Sequence, residues 1–472
     1  MTSTSAPWDI HTAPPLDGPC EDLFPDHCFS QAYLHQQEHT ESNARSYPRK
    51  LPLVIEKAEG LYVTDVDGAV YMDCLCGAGA LALGHNHPKQ LRAIREHLDH
   101  SRPMQTLDLT TPLKTEFVEE LFATLPPELA RDARIQFCSP SGADAVEAAL
   151  KLVKIATGRA DVWSMRGGFH GQTHGALALM GNLGIKSSVP GLMPGVQMLP
   201  FPYRYRCPMR SACEKCRCGD YVANALADPE SGMRIPAAII TEVVQGEGGV
   251  IPADHRWLRK IRELTREHGI LLIFDEVQTG WGRTGKMYAF EHSGVIPDVL
   301  VLSKAIGGGL PLAVVIYRKE LDVWKPGAHS GTFRGNQLAM ACGLATMRHI
   351  QGRRLPERAA RMGKHFIARL SELAAVYPFI GDVRGLGLML GVEVVAPEAL
   401  DRAGHPRADP VLAQRIHSEC FRRGLLLELG GRHGAVIRLL PPLTITHQQV
   451  DAVCDVLEKA CESVLRPEPN LV

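Results

Sequence analysis

The chain has almost no net charge and no long apolar run, and each absence removes a class of function. Its 51 Lys and Arg against 52 Asp and Glu leave a formal net charge of -1 and a pI near 7.0. There is no overall basic surface to attract nucleic acid, and charge implies no partner. No apolar stretch reaches the roughly 20 residues that a bilayer-spanning helix needs, so no membrane partner is expected. The beginning, Met1-Thr-Ser-Thr-Ser-Ala-Pro7, lacks both the basic and the apolar parts of a secretory signal, which makes the cytosol the expected compartment. The 13 cysteines are mostly scattered singly and fit reduced thiols there better than a disulfide framework. No internal repeat is evident.

Two charges at the ends of apolar runs are the strongest features present. Val299-Leu-Val-Leu302 leads through Ser303 into Lys304, and Leu271-Leu-Ile-Phe274 leads into Asp275. Each run reads as a buried strand ending in a charge that is costly to bury unpartnered, which places a site at the carboxyl edge of a parallel sheet. An amine and a carboxylate there suit pyridoxal phosphate, which needs a lysine for covalent attachment and an acid to keep its pyridine nitrogen protonated.

A phosphorylated cofactor also needs a phosphate cradle. After the strand-like Arg134-Ile-Gln-Phe-Cys138, Ser141-Gly-Ala-Asp144 opens a pattern with apolar residues at Val146, Ala149, Leu150 and Val153. That spacing predicts an amphipathic helix, with Ser141 and Asp144 as its capping box. The Gly142 and Ala143 amides are then expected to be open to a phosphate at the positive helix end. By itself the tetrapeptide reads better as an ordinary capped helix.

These segments, together with Gly168-Phe-His-Gly171, Thr241-Glu-Val-Val-Gln-Gly-Glu-Gly248, Gly282-Arg-Thr-Gly285, Gly307-Gly-Gly309, Gly331-Thr-Phe-Arg-Gly-Asn336 and Val383-Arg-Gly385, resemble the class III, or ω-amino-acid, aminotransferases. They occur in family order over most of the chain. The resemblance implies an α/β fold of the fold-type I pyridoxal phosphate transferases: a large domain with a mostly parallel sheet flanked by helices, plus a small α+β domain. It also implies that Lys304 carries the cofactor and moves the proton, that Asp275 holds the pyridine nitrogen, and that Phe169 and Val277 lie on the two faces of the ring. Gln278 is expected on the phenolic oxygen, and Thr332 on the phosphate of the neighbouring subunit in a homodimer with shared sites. Arg384 is expected to grip the carboxylate of an oxo acid, with Glu247 neutralising it during the amine half-reaction. Glu242 is expected to support the site from its strand end.

Glu41-Ser-Asn-Ala-Arg-Ser-Tyr-Pro48, Gly77-Ala-Gly-Ala-Leu81, Gly84-His-Asn-His-Pro88 and Ile437-Arg-Leu-Leu-Pro-Pro-Leu-Thr444 are similar to the branch of that family acting on 2,4-diaminobutyrate and 2-oxoglutarate. The small-molecule substrates expected are therefore an amino acid and an oxo acid, with ornithine, acetylornithine, lysine or 4-aminobutyrate as the alternative donors. A non-catalytic pyridoxal-binding regulator is disfavoured because Lys304 and Asp275 are both present.

The organisation expected is an arm over 1–45, small-domain segments over 46–101 and 344–472, and a large cofactor-binding domain over 102–343. Asp67-Gly68 reads as a hairpin turn, and Leu388 to Val394 as a strand. A terminal helix is expected near 447–465. Gly385-Leu-Gly-Leu-Met-Leu-Gly391 imitates a dinucleotide loop but leads into a strand, and Asp65-Val-Asp67-Gly68 is a turn rather than a calcium loop. His85 and His87 read as loop imidazoles rather than a metal pair. Cys207, Cys213, Cys216 and Cys218 are a candidate metal cluster, with reduced thiols the favoured alternative.

Overall fold

The structure is a computed structural model that describes residues 28–209, 217–401 and 403–465. At its centre is a seven-stranded sheet running, in spatial order, Ala133–Phe137, Val314–Arg318, Val299–Leu302, Leu271–Asp275, Ala238–Glu242, Val162–Met165 and Val196–Leu199. The four ladders from Val299–Leu302 to Val196–Leu199 are parallel. Ala238–Glu242 is buried at every position, as a strand covered by helices on both faces must be.

Val314–Arg318 runs antiparallel to both its neighbours. A parallel return would need a crossover of a dozen or more residues, and only the stretch from Ser303 to Ala313 separates it from Leu302. That stretch is taken up by the turn at Lys304 and by Gly308 and Gly309, both at positive φ.

The helix Gly142–Thr157 buries Val146, Ala149, Leu150 and Val153 against this sheet and stops at Gly158, whose φ of 67° is the left-handed conformation of a helix C-terminus. On the other side, His255–Glu267 is capped by Asp254 and buries Trp257, Leu258, Ile261 and Leu264.

Among the described residues the large sheet is accompanied by a two-stranded ribbon, Val244–Gln245 with Ile251–Pro252, and by two further small sheets. Tyr62–Asp65 and Val70–Asp73 form a hairpin, and Leu425–Leu426 joins its edge in parallel with Met72 and Asp73, so segments far apart in sequence share one sheet. Asp65 Oδ1 accepts from the amides of Asp67 and Ala69, which makes this loop a turn. Ile380–Leu386, Met389–Leu400, Val436–Leu439 and Glu428–Gly430 form the second small sheet, with Pro406–Ala408 paired to Met389–Leu400. The terminal helix spans His447–Leu465. Cys28–Thr40, in a stretch where the sequence has no sustained period, is helical, its start held by Asp67 accepting from the amides of Phe29 and Ser30. Among the described residues, no helix is long and apolar enough to cross a membrane.

Candidate active site

Register puts two acids side by side at the carboxyl edge of the large sheet: Asp275 pairs with Glu242 on one side and with Val301 on the other. Asp275 is buried. Its Oδ2 lies 2.8 Å from His170 Nδ1, and its Oδ1 accepts from the Val277 amide at 3.0 Å. Burial pushes the His170 imidazole down, but the hydrogen bond and charge of Asp275 outweigh it, so its pKa ends raised. Glu242 accepts from the Phe169 amide at 3.0 Å and the Gly246 amide at 2.8 Å, tying the Gly168–Gly171 loop to the turn that carries Glu247. Burial is the main reason its pKa rises to about 7.

Lys304 follows the neighbouring strand with φ at 52°, a left-handed conformation unusual for a residue with a side chain. Its pKa is lowered by burial, while the charge of Glu247 opposes the shift. A lysine held this way keeps more of its neutral, nucleophilic amine than one in water.

The helix N-terminus lies close by. Any side chain at Gly142 would meet Val277 Cγ1 at 3.1 Å, and one at Gly171 would run into Ala143 Cβ at 2.4 Å. The expected capping box is half made: Ser141 Oγ accepts from the Ala143 amide at 3.2 Å, so that amide is engaged rather than open. Asp144 turns instead to the Ser139 amide at 2.8 Å and to His329 at 3.0 Å. Phe169 is partly exposed and is not one of the core aromatics. Gln278 donates to the Ala78 carbonyl at 3.0 Å, bringing the loop at Gly77 and Ala78, both at positive φ, against the site.

The partner of Glu247 differs from expectation. Glu247 bonds to Arg438, Oε1 to Nη1 at 2.8 Å, and not to Arg384. Arg438 is 0% exposed; the same Nη1 reaches Glu428 at 3.0 Å, and Nη2 donates to Gln278 Oε1 at 3.0 Å. Arg384 is committed elsewhere. It donates to the Gly249 and Val250 carbonyls, to Asp382 at 2.8 Å and to Glu393 at 2.7 Å, and its guanidinium lies over the Tyr203 ring. Every donor nitrogen is in use within the chain, which makes Arg384 a clamp between segments rather than a fork open to a substrate. Arg438 was legible as a charge inside the apolar run Val436-Ile-Arg-Leu-Leu440, the same kind of signal that marks Lys304 and Asp275.

Thr332 is exposed, Gln105 donates to its carbonyl, and its neighbour Gly331 packs against the Ser139 hydroxyl just before the helix start at Gly142. Of the candidate thiols, Cys207 and Cys218 are buried, and Cys213 and Cys216 lie outside the described residues. His85 bonds to Asp73 at 2.7 Å and His87 caps the helix at Pro88, both ordinary structural uses.

The sequence pattern of the class-III aminotransferases matches residues 43–461, and the chain belongs to that family. Over 437 residues, covering 92% of this chain and 93% of the relative, it is 58% identical to a diaminobutyrate–2-oxoglutarate aminotransferase of Rhizobium meliloti. It is 50% identical over 425 residues, 89% of this chain and 93% of the relative, to the Haemophilus influenzae protein of the same name. Its fold is similar to that of a pyridoxal phosphate-bound amine transaminase from an uncultivated Pseudomonas species, with a TM-score of 0.80 at 32% identity, covering 90% of this chain and 98% of that one. An ornithine aminotransferase of Toxoplasma gondii gives 0.77 at 27% identity, covering 92% and 95%. Pyridoxal phosphate is the cofactor of the family, and the residues present fit it: an amine of lowered pKa, a buried acid braced by an imidazole, and a side-chain-free helix start.

Proposed function

We propose that the chain transfers the terminal amino group of L-2,4-diaminobutyrate to 2-oxoglutarate, reversibly, giving L-aspartate 4-semialdehyde and L-glutamate. The observation that carries this reading is the Glu247–Arg438 pair. An aminotransferase of this kind must hold a carboxylate on the reacting carbon of 2-oxoglutarate and then accept a donor whose reacting carbon has none. Arg438 offers the guanidinium for the first state, and Glu247, 32% exposed against 0% for its partner, is the acid free to swing over it in the second. The names of the relatives at 58% and 50% identity support the same substrates.

When bound, the cofactor supplies an electron sink for the negative charge left on the substrate carbon. Lys304 would hold it and move the proton from the substrate carbon, and burial shifts its amine toward the neutral, basic form that the task needs. Asp275 keeps the pyridine nitrogen protonated, and His170 fixes the direction of that carboxylate. Phe169 and Val277 would lie against the ring, Gln278 would bond the phenolic oxygen, and the Gly142 and Ala143 amides would hold the phosphate once the Ser141 hydroxyl releases the Ala143 amide.

The working unit is a homodimer whose Thr332 completes the phosphate site of the partner. Support comes from the apolar surface around it: Met104, Leu107, Leu109 and Phe333 are all exposed on the segments that Gln105 and Arg334 tie together. The cytosol suits the buried free thiols of Cys74, Cys76, Cys138, Cys342, Cys420, Cys454 and Cys461. Profiling amino donors against 2-oxoglutarate, with glutamate as the readout, tests the reading. L-2,4-diaminobutyrate should give the highest kcat/KM; a higher value for ornithine, lysine or 4-aminobutyrate would replace it as the donor.

A further inference from the structure

Arg438 has one carboxylate more than a carboxylate switch requires. Glu247, 32% exposed, is the acid proposed to move; the second, Glu428, is more deeply buried and held from two sides. It is 9% exposed, with Oε2 bonded to Arg438 at 3.0 Å and Oε1 accepting from the Tyr47 hydroxyl at 3.1 Å. Tyr47 comes from the N-terminal end of the described chain and Glu428 from a strand of the small sheet, so two distant segments meet to hold this charge beside the site. A second carboxylate next to the arginine that must bind 2-oxoglutarate works against the oxo acid, because it competes for the same guanidinium. Such a cost calls for a gain on the donor side.

The two substrates differ in a way that supplies it. Both carry a carboxylate separated from the reacting carbon by the same number of bonds, but the diamino acid alone keeps a second nitrogen, reached along Cγ–Cβ–Cα–N from the reacting Cγ. That ammonium is a cation 2-oxoglutarate lacks. We infer that Glu428, held in place by Tyr47, receives the α-ammonium group of the amino donor and so selects a diamino acid over an ω-amino acid without the α-nitrogen. A carboxylate has about four lone-pair positions, and the two bonds to Arg438 and Tyr47 leave room for an ammonium donor. The same charge that repels a dicarboxylate attracts a donor carrying two ammonium groups. This inference rests on the proposed diamino acid donor and names what in the site recognises it.

The test compares wild type with Glu428→Gln, which keeps the size and one acceptor oxygen. In the holoenzyme, the amine half-reaction is followed with L-2,4-diaminobutyrate and with 4-aminobutyrate, which differ only in the α-ammonium. The kcat/KM ratio between the two should fall by roughly 10- to 100-fold in the variant, the range expected for losing a hydrogen bond to a charged group. An equal loss with both donors would mean that Glu428 merely positions Arg438, and would overturn the inference. Tyr47→Phe, a milder change, should lower the same ratio by a smaller factor; an unchanged ratio in both variants also overturns it. Affinity apart from turnover is read by calorimetry on protein whose cofactor has been fixed by borohydride: wild type should prefer L-2,4-diaminobutyrate to 4-aminobutyrate, and Glu428→Gln should lose that preference. If wild type proves to use ornithine instead, the proposed donor is wrong. The ornithine and 5-aminopentanoate pair then decides the role of Glu428 by the same ratio.

Discussion

Glu247 Oε1 and Arg438 Nη1 lie 2.8 Å apart although 191 residues separate them in the chain. One side chain sits on the turn after a central strand of the large sheet, the other inside a strand of a small sheet, so the contact spans the boundary between the two sheets. Replacing Arg438 by Gln should slow the 2-oxoglutarate half-reaction by about 100-fold or more while the amine half-reaction loses less, because only the oxo acid depends on the fork. Arg384→Gln should act differently. Breaking its buried pair with Glu393 should cost about 3–5 kcal/mol of stability, seen in denaturant titration, and reduce both half-reactions by similar factors. Single-turnover measurement of each half-reaction separates the two arginines, and a loss confined to 2-oxoglutarate in the Arg384 variant would return the carboxylate role to it.

Covalent capture of the cofactor should reflect the lowered pKa of Lys304. Since burial depresses it, the neutral amine is populated at lower pH than for a lysine in water. As pH falls below the ordinary lysine value of about 10.4, uptake of pyridoxal phosphate by cofactor-free protein should therefore decline less steeply than reaction of a lysine in water. Borohydride trapping and peptide mapping should find the label on Lys304, and Lys304→Ala should lose both the label and nearly all turnover. By linkage, the share of stability due to this lysine is full above the ordinary pKa and is lost as pH falls through the lowered one.

Glu242 gives a pH dependence of the opposite sign. Its pKa rises in the fold to about 7, so the stability it brings is full below the unfolded value of about 4.3 and is lost as pH increases through about 7. In cofactor-free protein, wild type should lose stability relative to Glu242→Gln between about pH 5 and pH 8. Chemical denaturation across that range measures the slope, and parallel curves for the two proteins would show that Glu242 does not titrate there.

Mixed dimers test the shared site. Combining an inactive Lys304→Ala chain with a chain carrying a phosphate-defective Thr332 variant leaves one site with both lesions and one with neither, if the site is shared. Such hybrids should regain about half the activity of the wild-type dimer, as a two-fold assembly requires. Activity no greater than the mean of the two parents would place Thr332 in its own chain's site.

Much of the central architecture was legible locally. Apolar runs such as Leu271–Phe274 and Val299–Leu302 became strands that are almost wholly buried under covering helices, and the charges that follow them lie at one sheet edge. The terminal helix falls where its period placed it, at His447–Leu465. Less legible was the direction of Val314–Arg318, which depends on the short link after Leu302 rather than on its own composition.

The sequence by itself determined which residues can do chemistry: an amine and an acid at the ends of buried runs, and a helix start with no side chain at Gly142. Only the tertiary structure decided the pairings. His170 meets Asp275 from 105 residues away, Tyr47 meets Glu428 from 381 residues away, and Arg438 rather than Arg384 meets Glu247. The physical reason is that a buried charge demands a partner but does not specify one. Register and packing between distant segments choose it, and here they fill Arg384 with backbone and acidic partners of its own before a substrate could reach it.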